Sequence, residues 1–177
     1  MAPLLALALL AAPLSPARFT GFSADSRTFA YAAMSAGAGA PVLRVVRCRT
    51  GKIERTFVLA GPAQLAEAER FLRAGGFDSA ARPAPPGVDQ RFGLSARVED
   101  GRAWITLTRR GGRGARTLWE SSRPGVRIGE IGLWGFSPSG RYAAFHARLR
   151  GPTEFGGGEE YLVVDVEHAV RQLGEER

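Results

Sequence analysis

From residue 92 onward the chain alternates apolar and polar side chains with a period of two. Phe92, Leu94, Ala96 and Val98 fall on one face, and Ser95, Arg97 and Glu99 fall on the other, which is the pattern of a half-buried strand. Asp100-Gly101 follows, a dipeptide that tolerates positive φ and closes a two-residue hairpin. On the return, Ala103, Ile105 and Leu107 share one face and Trp104, Thr106 and Thr108 the other. With Ala115 to Ser121 as a third strand, the pattern predicts a central meander over residues 92–121. A helical period occurs once. Pro62, then Leu65, Ala68, Phe71 and Leu72 as a stripe between Glu67, Glu69, Arg70 and Arg73, then Gly75-Gly76, give start, face and stop of one short amphipathic helix over 62–74. Residues 78–91, with Arg82-Pro83-Ala84-Pro85-Pro86-Gly87 at their centre, read as an extended Pro-rich connector.

One phrase occurs twice. Gly21-Phe22-Ser23-Ala24-Asp25-Ser26-Arg27 and Gly135-Phe136-Ser137-Pro138-Ser139-Gly140-Arg141 share G-F-S-x-x-x-R. Ala30 and Ala33 align with Ala144 and Ala147 at the same offset, and a second apolar run follows each copy, Pro41 to Val46 and Tyr161 to Val166. Strand, tight turn, strand, loop and strand is the order predicted for both, over about 19–60 and 128–173. The fold class expected is mainly β: antiparallel meanders with two blade-like repeats and one short helix, in a single β-rich domain spanning 18–177.

The run Phe136 to Phe145, Phe-Ser-Pro-Ser-Gly-Arg-Tyr-Ala-Ala-Phe, resembles the opening of a blade in Tol-type β-propeller repeats, relatives of the WD repeats. Leu162 to Val166 fits the strand that follows in such a blade. Residues 19–59 resemble the unit more weakly, lacking the Pro and the turn Gly. The second copy and its glycine-bearing loop are also similar to a small bacterial family of predicted secreted proteins without an assigned activity. The resemblance implies a binding platform and brings no catalytic residue with it. A blade takes about 40 to 45 residues and a ring at least about four blades. With two copies separated by a helix, a closed regular propeller is not expected.

Leu4 to Ala12 is an uninterrupted apolar run, shorter than the roughly 20 residues that span a bilayer. Pro13 and Pro16 end it, and Ser15-Pro16-Ala17 places small residues where a signal peptidase cuts. Residues 1–17 therefore read as a signal peptide, although no Lys or Arg precedes the run. The expected location is periplasmic or secreted, and no later segment approaches transmembrane length. Cys48 is the only cysteine, so no disulfide forms within the chain, and its place after Val45-Val46-Arg47 makes it a small buried residue.

The chain carries 24 basic and 17 acidic side chains, net +7, with Lys52 the only lysine and no Asn. Guanidinium forks match phosphate and carboxylate, so a protein or an anionic envelope polymer is the partner class considered. A GC-rich genome that writes Arg in place of Lys accounts for the same excess, because the arginines are spread along the chain. The densest group is Arg109, Arg110, Arg113 and Arg116, set among Gly111, Gly112 and Gly114 between two strand patterns. These four are the candidate binding residues. The cluster neither repeats nor interleaves aromatics, so nucleic acid is not the expected partner.

Catalytic constellations are sparse. His146 and His168, the only histidines, lack zinc spacing. His146 falls on the more polar face of its strand and His168 in the turn after Val166-Glu167. No Ser stands in G-x-S-x-G, no glycine pattern cradles a nucleotide, and no cofactor is implied. Asp165 and Glu167 are placed to pair with Arg141 or Arg148. The reading is a non-enzymatic exported β-protein acting as a binding module; the alternative is a small extracytoplasmic hydrolase with His146 or His168 as base. If the leader is cleaved, sequencing of native protein should find Arg18 at or near the N-terminus; an intact Met1 on a cytoplasmic product would contradict it.

Overall fold

The structure is a computed structural model that describes residues 19–34, 40–111, 114–121, 126–150 and 158–175. The proposed leader and Arg113 lie outside these. Ten strands form three antiparallel sheets, and none of them closes into a barrel among the described residues. The first sheet runs in chain order through β1 (Gly21–Phe22), β2 (Thr28–Met34), β3 (Pro41–Arg47) and β4 (Lys52–Val58). Helix α1 (Pro62–Ala74) and the short α2 (Pro86–Arg91) follow. The second sheet is the meander β5 (Phe92–Glu99), β6 (Arg102–Arg109) and β7 (Ala115–Glu120). The third orders as β10-β9-β8, from β8 (Arg127–Phe136), β9 (Tyr142–Arg150) and β10 (Glu159–Asp165), and helix α3 (Val166–Glu175) ends the described chain.

The repeated phrase folds the same way twice. Gly21 pairs with Ala30 and Phe22 with Phe29; Gly135 pairs with Ala144 and Phe136 with Ala143. In each turn the Ser after Phe donates a backbone bond to the first residue of the next strand, Ser23 N–H to Thr28 O at 3.0 Å and Ser137 N–H to Tyr142 O at 2.9 Å. Its hydroxyl also accepts that residue's N–H, from Thr28 at 3.0 Å and from Tyr142 at 3.1 Å. The fourth turn residue takes positive φ in both, Ser26 at 61° and Gly140 at 73°. The match extends to the third strand: Val45 and Val46 oppose Ala30 and Phe29 as Val163 and Val164 oppose Ala144 and Ala143. Just beyond, Cys48 N–H bonds Arg27 O as Val166 N–H bonds Arg141 O.

The two units touch each other and share a strap. Ser139 N–H donates to Ser26 Oγ at 3.0 Å, joining the two turns. Residues 78–82 then cross both phrases, with Asp78 N–H bonding Phe22 O and Phe136 N–H bonding Arg82 O, each at 3.0 Å. A Cβ at Gly21 would lie 2.0 Å from Asp78 O, and one at Gly135 would lie 3.0 Å from Arg82 N. The glycine of G-F-S is therefore required by the passage of a neighbouring backbone.

The third sheet is the middle layer. One face of β9 carries Tyr142 and Ala144 into a cluster with Phe22, Phe29, Tyr31 and Cys48 of the first unit. The other carries Ala143 and Phe145 into a cluster with Phe92, Ile105 and Leu107 of the meander and Val166, Ala169 and Leu173 of α3. The strand face that reads as the more polar is thus covered, because sheets lie on both sides of β9. Helix α1 covers the outer face of the first sheet through Ala68, Leu65, Phe71 and Leu72, against Leu43, Val45 and Phe57. Its end is a left-handed cap: Gly76 takes φ 58°, and Phe77 N–H reaches Leu72 O while Gly76 N–H reaches Arg73 O. Beyond β3, the outer strand β4 is exposed along most of its length, and its register slips opposite Val45 and Val46, leaving Glu54 as the extra residue.

The mainly β fold, the α1 bounds and the Asp100-Gly101 hairpin, with φ of 50° and 78°, agree with the pattern. Two helices do not. Residues 86–91 are helical, with Pro86 in the first turn, where a missing N–H costs nothing; the extended connector is thereby shortened to 78–85. His168 lies in α3 and not in a turn. Asp165 Oδ1 accepts His168 N–H at 3.0 Å, so Asp165 caps the helix, and Val166, Ala169 and Leu173 bury its apolar face. Since Phe136 is 1% exposed at the centre of this assembly, Phe136→Ala should cost about 3–5 kcal/mol in denaturant unfolding; a loss below about 1 kcal/mol would remove it from the core.

Candidate anion-binding site

The β5–β6 hairpin register determines which charges meet. Glu99 faces Arg102 across the turn, and the ladder runs back to Phe92 opposite Arg109. One step further, Arg110 N–H donates to Arg91 O at 2.8 Å, and Arg110 Nε donates to Phe92 O at 3.2 Å. Arg91, at the end of α2, is thereby drawn to Arg109 and Arg110. The β6–β7 loop closes with Arg109 N–H on Gly114 O at 2.9 Å and Gly111 at φ 71°. Gln90, Arg91, Phe92, Arg109, Arg110 and Gly174 line a depression of about 440 Å³ that is open to solvent. Among its described lining there is no carboxylate.

Of the four arginines singled out from sequence, Arg109 and Arg110 therefore come together at one place. Arg116 is exposed on β7, cross-strand from Leu107, and does not line the depression. Arg113 is outside the described residues. Arg91 was missed, although the signal was available: a two-residue turn at Asp100-Gly101 fixes the ladder, and counting back along it sets Arg91 against Arg110.

A second depression, of about 400 Å³, adjoins the first through Arg91 and Phe92. Its walls include Pro85, Val88 and Val170, with Arg141 and Glu167 at the rim. Arg141 is already engaged, its Nε and Nη2 lying 3.1 and 2.7 Å from Asp165 Oδ2 and Nε 3.8 Å from Glu167 Oε2. Glu167 also binds Arg171. Of the two partners the sequence offers for Asp165 and Glu167, the structure pairs them with Arg141; Arg148 pairs instead with Glu130 at 3.7 Å.

The histidines are elsewhere. His146 stands opposite Tyr161, with ring centroids 5.1 Å apart. Its Nε2 lies 3.4 Å from Glu159 Oε2 but has no hydrogen-bond partner. His168 is exposed on α3. Neither lines the two depressions, and no group of three or more His, Cys, Asp or Glu that could hold a metal occurs among the described residues. Both phrase serines spend their hydroxyls on the turns, a structural use. Comparison with family models, curated proteins and solved structures found no match. No helix among the described residues is long and apolar enough to cross a membrane.

Cys48 is buried, and burial, with smaller contributions from the charges of Asp25 and Glu54, pushes its thiol pKa up to about 12. Thiolate is the reactive form. At neutral pH a thiol reagent should therefore leave native Cys48 unmodified and label it as denaturant unfolds the chain; rapid labelling of folded protein would show the site to be open.

Proposed function

We propose that the protein is an exported, non-enzymatic binding module that captures an anionic partner, a protein or an envelope polymer, at the Arg91, Arg109 and Arg110 depression. The observation that carries this reading is that three arginines, Arg91, Arg109 and Arg110, line one concavity open to solvent. Guanidinium forks bind carboxylate and phosphate oxygens in pairs, and a loop held on a rigid hairpin is the usual place for such a surface. The resemblance of the two G-F-S units to propeller blades, scaffolds that present loops for binding, supports the same reading. The apolar leader run supports export to the periplasm or the medium. The hydrolase alternative has one contact in its favour, His146 Nε2 at 3.4 Å from Glu159 Oε2, but that nitrogen has no hydrogen-bond partner and neither depression is lined by His146.

The test is retention on immobilised polyphosphate. Wild-type protein should bind at low salt and release as ionic strength passes the physiological value, where charges beyond about 8 Å are screened. The triple variant Arg91→Gln, Arg109→Gln, Arg110→Gln should bind at least about tenfold more weakly with little change in thermal stability, because exposed charges contribute little to folding. Changing Arg113 and Arg116 to Gln should have the smaller effect. Equal binding by the triple variant, or no retention of wild type at low salt, would reduce the cluster to a solvated hairpin loop.

A further inference from the structure

The two repeated units are not equally complete. In the first, β3 is followed by β4, which pairs along its outer side. In the second, β10 takes the place of β3, with Val163 and Val164 standing where Val45 and Val46 stand, and the chain then turns into α3. The third sheet therefore ends at β10, whose outer edge is unpaired among the described residues. We infer that this edge receives an extended segment of a partner protein, a run of consecutive apolar residues preceded by an acidic one, added antiparallel as the fourth strand that the second unit lacks. The site shares no lining residue with the arginine depression and does not depend on it.

The ladder identifies the open groups. Leu149 N–H bonds Gly158 O and Val166 N–H bonds Arg141 O, each at 2.9 Å. Because an antiparallel ladder alternates, Leu162 and Val164 direct their backbone N–H and C=O groups to β9, whereas Tyr161, Val163 and Asp165 direct theirs outward. These are the places of Leu43, Val45 and Arg47 in the first unit, where β4 lies opposite and Gly51 N–H reaches Arg47 O at 2.9 Å. No second strand meets the outward groups of β10 among the described residues. A row of main-chain donors and acceptors at strand spacing is matched by another polypeptide in extended form.

The surroundings set the side chains. Residues 161–165 form the floor of an open groove of about 370 Å³, walled by Val46 and the β3–β4 turn on one side and by Leu118 and Trp119 of β7 on the other. Ile53, cross-strand from Val46, is 52% exposed, as an apolar residue on an uncovered sheet face is. A strand between two apolar walls is a continuous apolar run. Walls from two sheets also recess the edge, so one extended segment enters where the sheet edge of a second folded copy does not. Charge selects the flank. Asp165 is engaged by Arg141 and by His168 N–H. Arg49 lines the groove, is exposed, and enters no ion pair among the described residues. Its neighbour Cys48 lies in one cluster with Tyr142, which is cross-strand from Asp165, so Arg49 stands at the Asp165 end. A strand antiparallel to β10, in the sense of β4 on β3, begins at that end, and its acidic residue comes first.

The probe is the acetylated peptide amide Glu-Val-Leu-Val-Thr-Val, added to the full chain while amide hydrogen exchange is followed residue by residue by NMR. In the free protein Leu162 and Val164 should exchange slowly and Tyr161 and Val163 fast; saturating peptide should slow the latter two at least about tenfold. Two further peptides, N-methylated on one or the other alternate set of residues, keep every side chain and lose half of the donors. The one blocked on the set facing β10 should bind at least about tenfold more weakly than the parent. A peptide with Lys in place of Glu should bind several-fold more weakly, and Arg49→Gln should erase that difference. Equal binding of the parent and both methylated peptides, or unchanged exchange at Val163, would overturn strand addition. Loss of binding in the Arg91→Gln, Arg109→Gln, Arg110→Gln variant would move the peptide to the arginine depression and overturn this site while leaving that one. Protection of the same amides by concentration-dependent dimerisation without peptide would overturn the inference in favour of a second copy.

Discussion

The passage of residues 78–82 across the two glycines of the repeated phrase is the constraint on which the rest of the structure depends. The strap bonds Phe22 O at one end and Phe136 N–H at the other, and it can do so only because Gly21 and Gly135 present no side chain. The two phenylalanines that follow those glycines are both driven inward and form separate clusters. Remove the close approach and the first and third sheets lose both their shared hydrogen bonds and the depth at which their aromatic residues sit.

From that join the remaining layers take their places. The third sheet is covered on both faces, by the first unit on one side and by the meander with α3 on the other. Helix α1 closes the outside of the first sheet, and its left-handed cap turns the chain directly into the strap. The candidate site lies at the far end of the meander, where the chain leaves α2 for β5, so the strap, the following prolines and the hairpin register together decide where Arg91 stands relative to Arg109 and Arg110.

Elements set by local chemistry were legible in the sequence. Asp100-Gly101 specified its own turn and through it a register of eight residue pairs; Pro62 and Gly75-Gly76 bounded α1. The equivalence of the two turns was legible too, because Ser and the positive-φ position recur at one offset. Helix α3 was missed for a physical reason: Tyr161 to Val166 is a strand-favouring run with three valines, and its alternation continues through Asp165 and Glu167, hiding the cap that Asp165 provides. Helix α2 was missed because Pro85-Pro86 is equally at home in an extended segment and at a helix start. Half of the site was visible as a charge cluster. Arg91 was within reach by counting back along the hairpin register, whereas the neighbouring depression between Val88 and Val170 depends on α2 and α3 meeting, a tertiary event that no local pattern encodes.

The outer strand β4 gives the first sheet an open side, a template on which another chain could add itself. Its composition works against that. Lys52, Glu54 and Arg55 place alternating charges along the strand, and the slip at Glu54 breaks the straight row of donors and acceptors that a second strand would need. Arg47 and Glu54 pair across the irregularity, and Arg55 lies over Phe57 and Phe71, roofing the nearest aromatic surface. A chain this rich in β-structure must pass through states with unpaired strands as it folds. The irregular, charged margin of β4 is where this sequence guards against amyloid-like stacking of one molecule on the next.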